Sequence, residues 1–452
     1  MSKNSIMAWS ILFLIILVVV PVHGQSNTFE NFYDFLNQFQ NAPQEEQEQL
    51  IQDYIVWQAE RGFPAIVNDT HAVFVYYSES IFIGSAKIAG DFNEWQPTDM
   101  ERLGTYNFFY FPLNAEPTAR LDYKFIIDGN WILDPRNPNR VPGGFGDNSE
   151  LAMPAFEQPT EIIYRQDIPH GTLNFVDTNF SGPNPSVTVY LPPNYNETKS
   201  YPTVYFTDGN EYLSLAYAAT IIDNIIADQE IEPIIGIFVD PWNQRHEWYN
   251  CSTMDYINYL DELVKFIDFR YSTIQEREQR LHLGDSLGGQ ISAFVGLQRS
   301  ETFGNIGIHS GAFWDGSSSL GRIGCNIIDQ YRNASGDLDL KMWLTAGTYE
   351  QTVYRDTQTI TGIIEEKNWK YNVTYYHEGH SWGLWRHTLD DMLRFFFPHS
   401  VPSIINDTSD PIPEKSQATP SFLNTDSQTS PFSPIFWLSP IIILKRKNKA
   451  SW

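Results

Sequence analysis

Six residues, Gly284-Asp285-Ser286-Leu287-Gly288-Gly289, have the make-up of a turn built to present one hydroxyl. The apolar run before them, residues 280–283 (RLHL), reads as a buried strand end. Residues 290–298 (QISAFVGLQ) read as an amphipathic helix. Glycines two before and two after Ser286 remove side chains that would collide across so tight a strand-to-helix bend. The bend pushes Oγ clear of the backbone, and a helix starting directly behind it aims backbone N–H groups at any oxyanion formed there. A serine hydroxyl alone is a weak nucleophile. The same reading therefore demands an imidazole within hydrogen-bond reach and a carboxylate to hold that imidazole.

Such chemistry needs a rigid platform, and residues 161–398 have its pattern. Runs at 171–177, 186–191, 203–206, 234–239, 280–284, 306–309, 340–346 and 372–376 read as strands. Several are apolar throughout, as in a parallel sheet covered on both faces. Helical stretches at 213–227, 254–269, 291–297, 352–367 and 384–397 fill the intervals. The expected fold is α/β, with a sheet of about eight mostly parallel strands and the serine turn after a central one.

A glycine-flanked serine between strand and helix is the nucleophile elbow of α/β-hydrolases, whose chain order is serine, acid, histidine. Downstream of Ser286 stand His309, His377, His380, His387 and His399. His380 follows the last strand, where a loop crosses the carboxyl edge of the sheet, and is the expected base. His377, at the strand end, is the fallback; His387 falls on the next helix, and His309 comes too early to follow an acid. The penultimate strand runs into Gly347-Thr348-Tyr349-Glu350, which makes Glu350 the expected acid. Its alternative role is a first-turn carboxylate favoured by the helix dipole. Asp356 lies a turn or more into that helix.

Five motifs in order extend the likeness: Tyr205-Phe206-Thr207-Asp208-Gly209, the serine turn, His309-Ser310-Gly311-Ala312-Phe313-Trp314, Gly347-Thr348-Tyr349-Glu350 and Glu378-Gly379-His380-Ser381. By these, residues 161–397 resemble the esterase D superfamily, close to enterochelin esterase and to feruloyl or acetyl-xylan esterases. The resemblance implies Ser286 as nucleophile, His380 as base and Glu350 as orienting acid. It also implies an oxyanion hole from the backbone N–H groups of Leu287 and Asn210, and no cofactor or metal. Many members of that family carry aspartate where Glu350 stands. Trp242, Arg245, Glu247, Trp314, Trp382 and Trp385 are expected on loops at the carboxyl edge, as an aromatic pocket or as loop packing.

Residues 70–155 have β character broken by Gly, Asn and Pro. The segments Ala89-Gly90-Asp91-Phe92-Asn93-Glu94-Trp95, Tyr123-Lys124-Phe125-Ile126-Ile127-Asp128-Gly129-Asn130-Trp131 and Asp134-Pro135 resemble the glycogen-binding, family 48 type of carbohydrate-binding module. That module is an immunoglobulin-like β-sandwich, also found in front of several esterases. The resemblance implies sugar contacts by Trp95, Lys124, Trp131 and Asn148. The alternative is a scaffold whose tryptophans pack on the neighbouring domain. Ahead of it, residues 25–69 read as a helical arm, with Thr28 capping a helix over 29–39 and a second helix starting at Pro43. Residues 154–160 read as a hinge.

The ends of the chain and its composition bear on where it works. Residues 1–24 have the charged, apolar and small-residue order of a secretory signal; an uncleaved anchor is the alternative. Seven N-x-S/T sequons, at Asn68, Asn179, Asn196, Asn250, Asn333, Asn372 and Asn406, agree with export. Residues 399–430 read as a disordered linker. Residues 431–452 form an apolar stretch with a basic end, resembling a C-terminal anchor or sorting tag. A net charge of −26 disfavours nucleic acid or an anionic membrane face as partner. Two cysteines, Cys251 and Cys325, permit one disulfide or two thiols and no zinc cluster. The reading as a whole is an exported, surface-tethered serine esterase acting on an ester-decorated carbohydrate. A siderophore esterase and a non-catalytic glycan-binding surface protein are the alternatives.

Overall fold

The computed structural model describes residues 27–79, 82–178, 180, 185–241, 244–313 and 326–399. The signal and tail segments, Trp242, Trp314, Cys325 and the sequons at Asn179 and Asn406 lie outside these residues. Among the described residues no helix is long and apolar enough to cross a membrane. Two compact units divide the chain: residues 1–83 with 100–114, and residues 84–99 with 115–452.

In the first unit, helices Phe32–Asn41 and Gln44–Ala59 accompany a four-stranded sheet of Ala65–Asn68, His71–Tyr77, Phe108–Asn114 and Glu101–Arg102. Phe32, Phe35, Phe39, Ile51 and Tyr54 fill one cluster with Val73, Val75 and Phe108. The first helix starts later than Thr28 would set it. Asn31 caps it, its side-chain oxygen accepting the N–H groups of Tyr33 and Asp34.

The second unit holds two sheets. Strands Ala86–Gly90, Thr98–Asp99, Arg120–Ile127, Asn130–Ile132, Arg140–Val141 and Asn148–Ala152 make an antiparallel one. The 70–155 stretch is thus shared between the two units, and residues 154–160, read as a hinge, lie inside the second.

The larger sheet has eight strands: β1 (Thr172–Val176), β2 (Ser186–Leu191), β3 (Thr203–Phe206), β4 (Ile235–Asp240), β5 (Arg280–Asp285), β6 (Asn305–His309), β7 (Lys341–Gly347) and β8 (Lys370–Tyr376), in the order β1-β2-β4-β3-β5-β6-β7-β8. The first two join antiparallel and the rest run parallel, so the sheet is mixed at one edge. Its central strands are buried at every residue because both faces are covered. Val204, Phe206, Leu281 and Leu283 face a cluster that includes Ile221, Ile225, Leu389 and Leu393, from helices Ala218–Ala227 and Trp382–Phe396. Tyr205, Ile237, Ile306 and Leu344 face another, with residues of Asp255–Arg270, Leu287–Gln298 and Thr352–Glu366.

The helix expected over 213–227 is two, Gly209–Ser214 and Ala218–Ala227, parted where Tyr217 takes φ +56. Short helices Arg245–Trp248 and Ile327–Asn333 carry too few apolar repeats to show a period. Cys251 is disulfide-bonded.

Two histidines sit inside this core. His282 Nε2 pairs with the Tyr256 hydroxyl at 2.8 Å and Nδ1 with Ser292 Oγ at 2.9 Å; His309 Nδ1 pairs with Tyr212 at 2.9 Å. Burial lowers both to about 3, so the folded protein keeps them neutral while the unfolded chain titrates near 6.5. The unfolded state then binds more protons below about 6.5, and stability falls as pH drops from there toward 3. Denaturant titrations are expected to lose about 3 kcal/mol per histidine between pH 7 and pH 4, at about 1.4 kcal/mol per pH unit below 6.5. A folded His282→Gln variant should show a shallower slope; an unchanged slope would remove His282 as a source.

Candidate active site

β5 ends at Asp285, and Ser286 turns the chain with φ +53 and ψ −116 before the helix Leu287–Gln298 begins. A positive φ at a residue with a side chain is strained by about 1–3 kcal/mol and persists only where the surroundings enforce it. Here they do. A Cβ on Gly284 would lie 2.3 Å from both the Gly288 carbonyl oxygen and Thr207 Oγ1, and one on Gly288 would lie 2.2 Å from Thr207 Oγ1. The Ser286 N–H donates to the His309 carbonyl at 2.9 Å, and the Ser286 carbonyl accepts from Ala312 and from Gln290, the first bond of the helix. The Leu287 N–H therefore precedes the helical ladder, at the edge where a developing oxyanion would sit.

Two strands along, β7 ends at Gly347 and the turn Thr348–Glu350 follows. The Glu350 side chain is fully buried. Its Oε2 accepts from the Gly347 N–H at 2.5 Å and from Ser310 Oγ at 3.0 Å; its Oε1 meets His380 Nδ1 at 2.6 Å. Ser310, itself at φ +48, accepts in turn from Trp385 Nε1 at 2.9 Å. Ionised carboxylates only accept, so the proton of neutral His380 sits on Nδ1 and the lone pair on Nε2. The ring is 40% exposed and its edge stands against Trp385, centroids 5.1 Å apart. His380 lies past β8, beside β7, so the serine, acid and imidazole all follow parallel strands of one sheet at its carboxyl edge.

The other histidines have other partners. His377 Nδ1 pairs with Thr118 Oγ1 at 2.7 Å, and His387 Nδ1 with Glu378 at 2.6 Å. Asp356 is on the helix Thr352–Glu366.

Asn210 is in the first turn of the helix Gly209–Ser214, ahead of its first ladder bond, from the Tyr212 N–H to the Asp208 carbonyl. Its side chain donates to the Asp240 carboxylate. A Cβ on Gly209 would lie 2.5 Å from the Phe238 carbonyl carbon, so only glycine lets this turn approach β4. Beneath it is a brace with no counterpart in the sequence reading. Arg245 Nε donates to Asp208 Oδ1 at 2.7 Å, and its Nη2 to Asp208 Oδ2 at 2.8 Å and to Asp285 Oδ2 at 3.4 Å. Burial, with the Asp208 charge beside it, pushes the Asp285 carboxyl well above the usual range. Arg245 and Glu247 stand on a short helix rather than a loop, and Trp382 and Trp385 open the helix Trp382–Phe396, both buried.

Of the four residues implied to touch sugar, Lys124, Trp131 and Asn148 lie on strands of the antiparallel sheet, and Trp95 lies in the turn between Ala86–Gly90 and Thr98–Asp99. Lys124 and Ile126 share one face of their strand; Trp131 pairs opposite Ile126, and Asn148 sits one step beyond the Ser149–Tyr123 pair. Trp131 is half exposed and lies nearly parallel to Trp95, ring centroids 6.5 Å apart. Asn148 is held by Asp122 Oδ2 at 2.9 Å, and Trp95 Nε1 donates to Asp91 at 3.0 Å. Burial lowers the Lys124 ammonium.

The same strand, on the same face, carries a buried charge. Arg120, 1% exposed, meets Glu150 and Asp122, each at 2.7 Å, and Glu378 at 3.2 Å. Removing one member of such a cluster leaves an uncompensated buried charge, at about 3–5 kcal/mol.

Residues 179–396 match the family model described as Esterase. An endo-1,4-β-xylanase/feruloyl esterase of Xylanibacter ruminicola is 29% identical over 205 residues, 42% of this chain. Endo-1,4-β-xylanase Y of Acetivibrio thermocellus is 24% identical over 288 residues, 55% of this chain. The matches cover 28% and 26% of those two proteins, so the chain spans about a quarter of their length. Among solved structures, the enterobactin esterase of Shigella flexneri superposes with a TM-score of 0.62 at 18% identity, covering 76% of this chain and 97% of that one. The ferric enterobactin esterase of Salmonella typhimurium gives 0.63 at 17% identity, covering 72% and 93%. The larger sheet with its helices has the fold of those solved structures, and the Esterase model matches that part of the chain.

Proposed function

We propose that the chain is an exported serine esterase acting on an ester-decorated carbohydrate, of feruloyl or acetyl esterase type. Ser286 Oγ attacks the ester carbonyl while His380 Nε2 takes its proton, and Glu350 holds the imidazolium that forms. The tetrahedral oxyanion accepts from the Leu287 and Asn210 N–H groups. His380 then gives its proton to the leaving alcohol oxygen. Water, deprotonated by His380, cleaves the acyl-serine and releases the acid. The observation that carries the reading is the 2.6 Å contact between His380 and Glu350 at the sheet edge where the strained Ser286 turn stands.

The carbohydrate side of the reading is supported by the name of the Xylanibacter ruminicola relative and by the half-exposed Trp131 beside Trp95, an apolar surface for the C–H face of a sugar. Export and surface tethering rest on the signal-like start, the sequons and the tail. A net charge of −26 sets the chain against an anionic iron chelate as substrate. The test is labelling with a fluorophosphonate probe, located by peptide mass spectrometry, followed by a panel of methyl ferulate, acetylated xylo-oligosaccharide and enterobactin. Labelling at Ser286 with fastest turnover of a carbohydrate-type ester is expected. A folded but unlabelled and inactive protein would make it a glycan-binding surface protein, and a preference for enterobactin would make it a siderophore esterase.

A further inference from the structure

We infer, on the reading of Ser286, Glu350 and His380 just given, that Arg120 is a positioning residue: from the antiparallel sheet it holds the turn that delivers His380 to Glu350. The guanidinium fans across two strands and one turn. Its Nε donates to Glu150 Oε2 and its Nη2 to Asp122 Oδ1, both at 2.7 Å, which fixes it to its own sheet. Its Nη1 donates to Glu378 Oε2 at 3.2 Å and to Ser381 Oγ at 3.4 Å, two residues before His380 and one after. The backbone adds to this, with the Arg120 N–H donating to the His377 carbonyl at 3.0 Å.

The acid is tied to the same segment. The Tyr349 N–H donates to the Glu378 carbonyl at 3.2 Å, and the Tyr349 hydroxyl to Glu116 at 2.7 Å. Residues 116–120 therefore grip both the acid turn and the histidine turn. There is no slack between them. A Cβ on Gly347 would lie 2.0 Å from the Glu378 carbonyl oxygen, one on Gly379 2.0 Å from Asp91 Cγ, and one on Gly383 2.0 Å from Arg120 Nη1. Glu378 spends its other oxygen on His387 at 2.6 Å. Stability alone does not ask for this arrangement, because buried ion clusters roughly break even against well-packed apolar side chains. What the fork supplies is direction, with rigid donors aimed at set oxygens on either side of the base.

The experiment compares wild type, Arg120→Gln, Arg120→Lys and Gly379→Ala on a small chromogenic acetate ester, with circular dichroism and thermal melting run in parallel. Displacing a catalytic group by about 1 Å costs on the order of 100-fold. Folded R120Q and G379A are expected to lose kcat on that scale with KM within about twofold. R120K keeps the charge without the fork and should fall between. Wild-type kcat in a folded R120Q overturns the assignment; where R120Q does not fold, R120K and G379A with wild-type kcat overturn it. A wild type that neither hydrolyses the ester nor takes the fluorophosphonate refutes the site itself, whereas an active wild type with unaffected variants refutes Arg120 alone.

Discussion

Ser286→Ala is expected to lower kcat on a small chromogenic acetate ester by about 10⁴-fold or more, with KM little changed. On the mechanism proposed above, the hydroxyl forms the acyl intermediate. What survives is the contribution of the oxyanion donors and of binding, typically about 10³-fold over water. Nucleophile and base act as a unit, so a Ser286→Ala, His380→Ala double variant should be scarcely slower than the single one. The elbow should remain, because its shape is imposed by Gly284, Gly288 and Thr207 and not by the serine side chain. Melting temperature therefore stays near wild type. Equal rates for folded wild type and S286A would show that the hydrolysis does not pass through this residue.

Much of the platform is legible along the chain, for a plain reason. The central strands are short apolar runs between breakers, and β2 and β3 fall at the residues their β-branched and aromatic content marks. Ser286 is legible because a strained turn between strand and helix admits few residues around it. Glu350 and His380 are legible by position, as polar residues just past the last two strands. The supports are not. Ser310 stands in a quoted motif, yet nothing local shows that it would donate to Glu350 forty residues on. Arg245 reads as a loop residue, since its partners are Asp208, just past β3, and Asp285, at the end of β5. Arg120 is hidden more deeply. The alternation Arg120, Asp122, Lys124 looks like the solvated face of an edge strand, and only the fold brings Glu378, 258 residues later, against it.

Glu350→Gln is expected to cost nearly as much as loss of the serine, on the order of 10⁴-fold in kcat, because it sets the wrong imidazole tautomer. The hydrogen bonds dictate which way the amide must turn. Two donors, the Gly347 N–H and the Ser310 hydroxyl, converge on the Oε2 position, so an NH₂ group there would meet two hydrogens. The amide oxygen takes that place, and the NH₂ faces His380 Nδ1, 2.6 Å away in the wild type. A ring nitrogen facing a donor must be the unprotonated one, which puts the proton on Nε2 and leaves no lone pair for the Ser286 hydroxyl. Glu350→Asp keeps the carboxylate but is one methylene short, so it cannot hold Gly347, Ser310 and His380 together. Its loss should be smaller, about 10- to 100-fold. Nitrogen-15 spectra of the His380 ring give an independent reading: a proton on Nδ1 in wild type and E350D, and on Nε2 in E350Q. A folded E350Q with wild-type kcat, or with the proton still on Nδ1, would show that the imidazole is held by something other than Glu350.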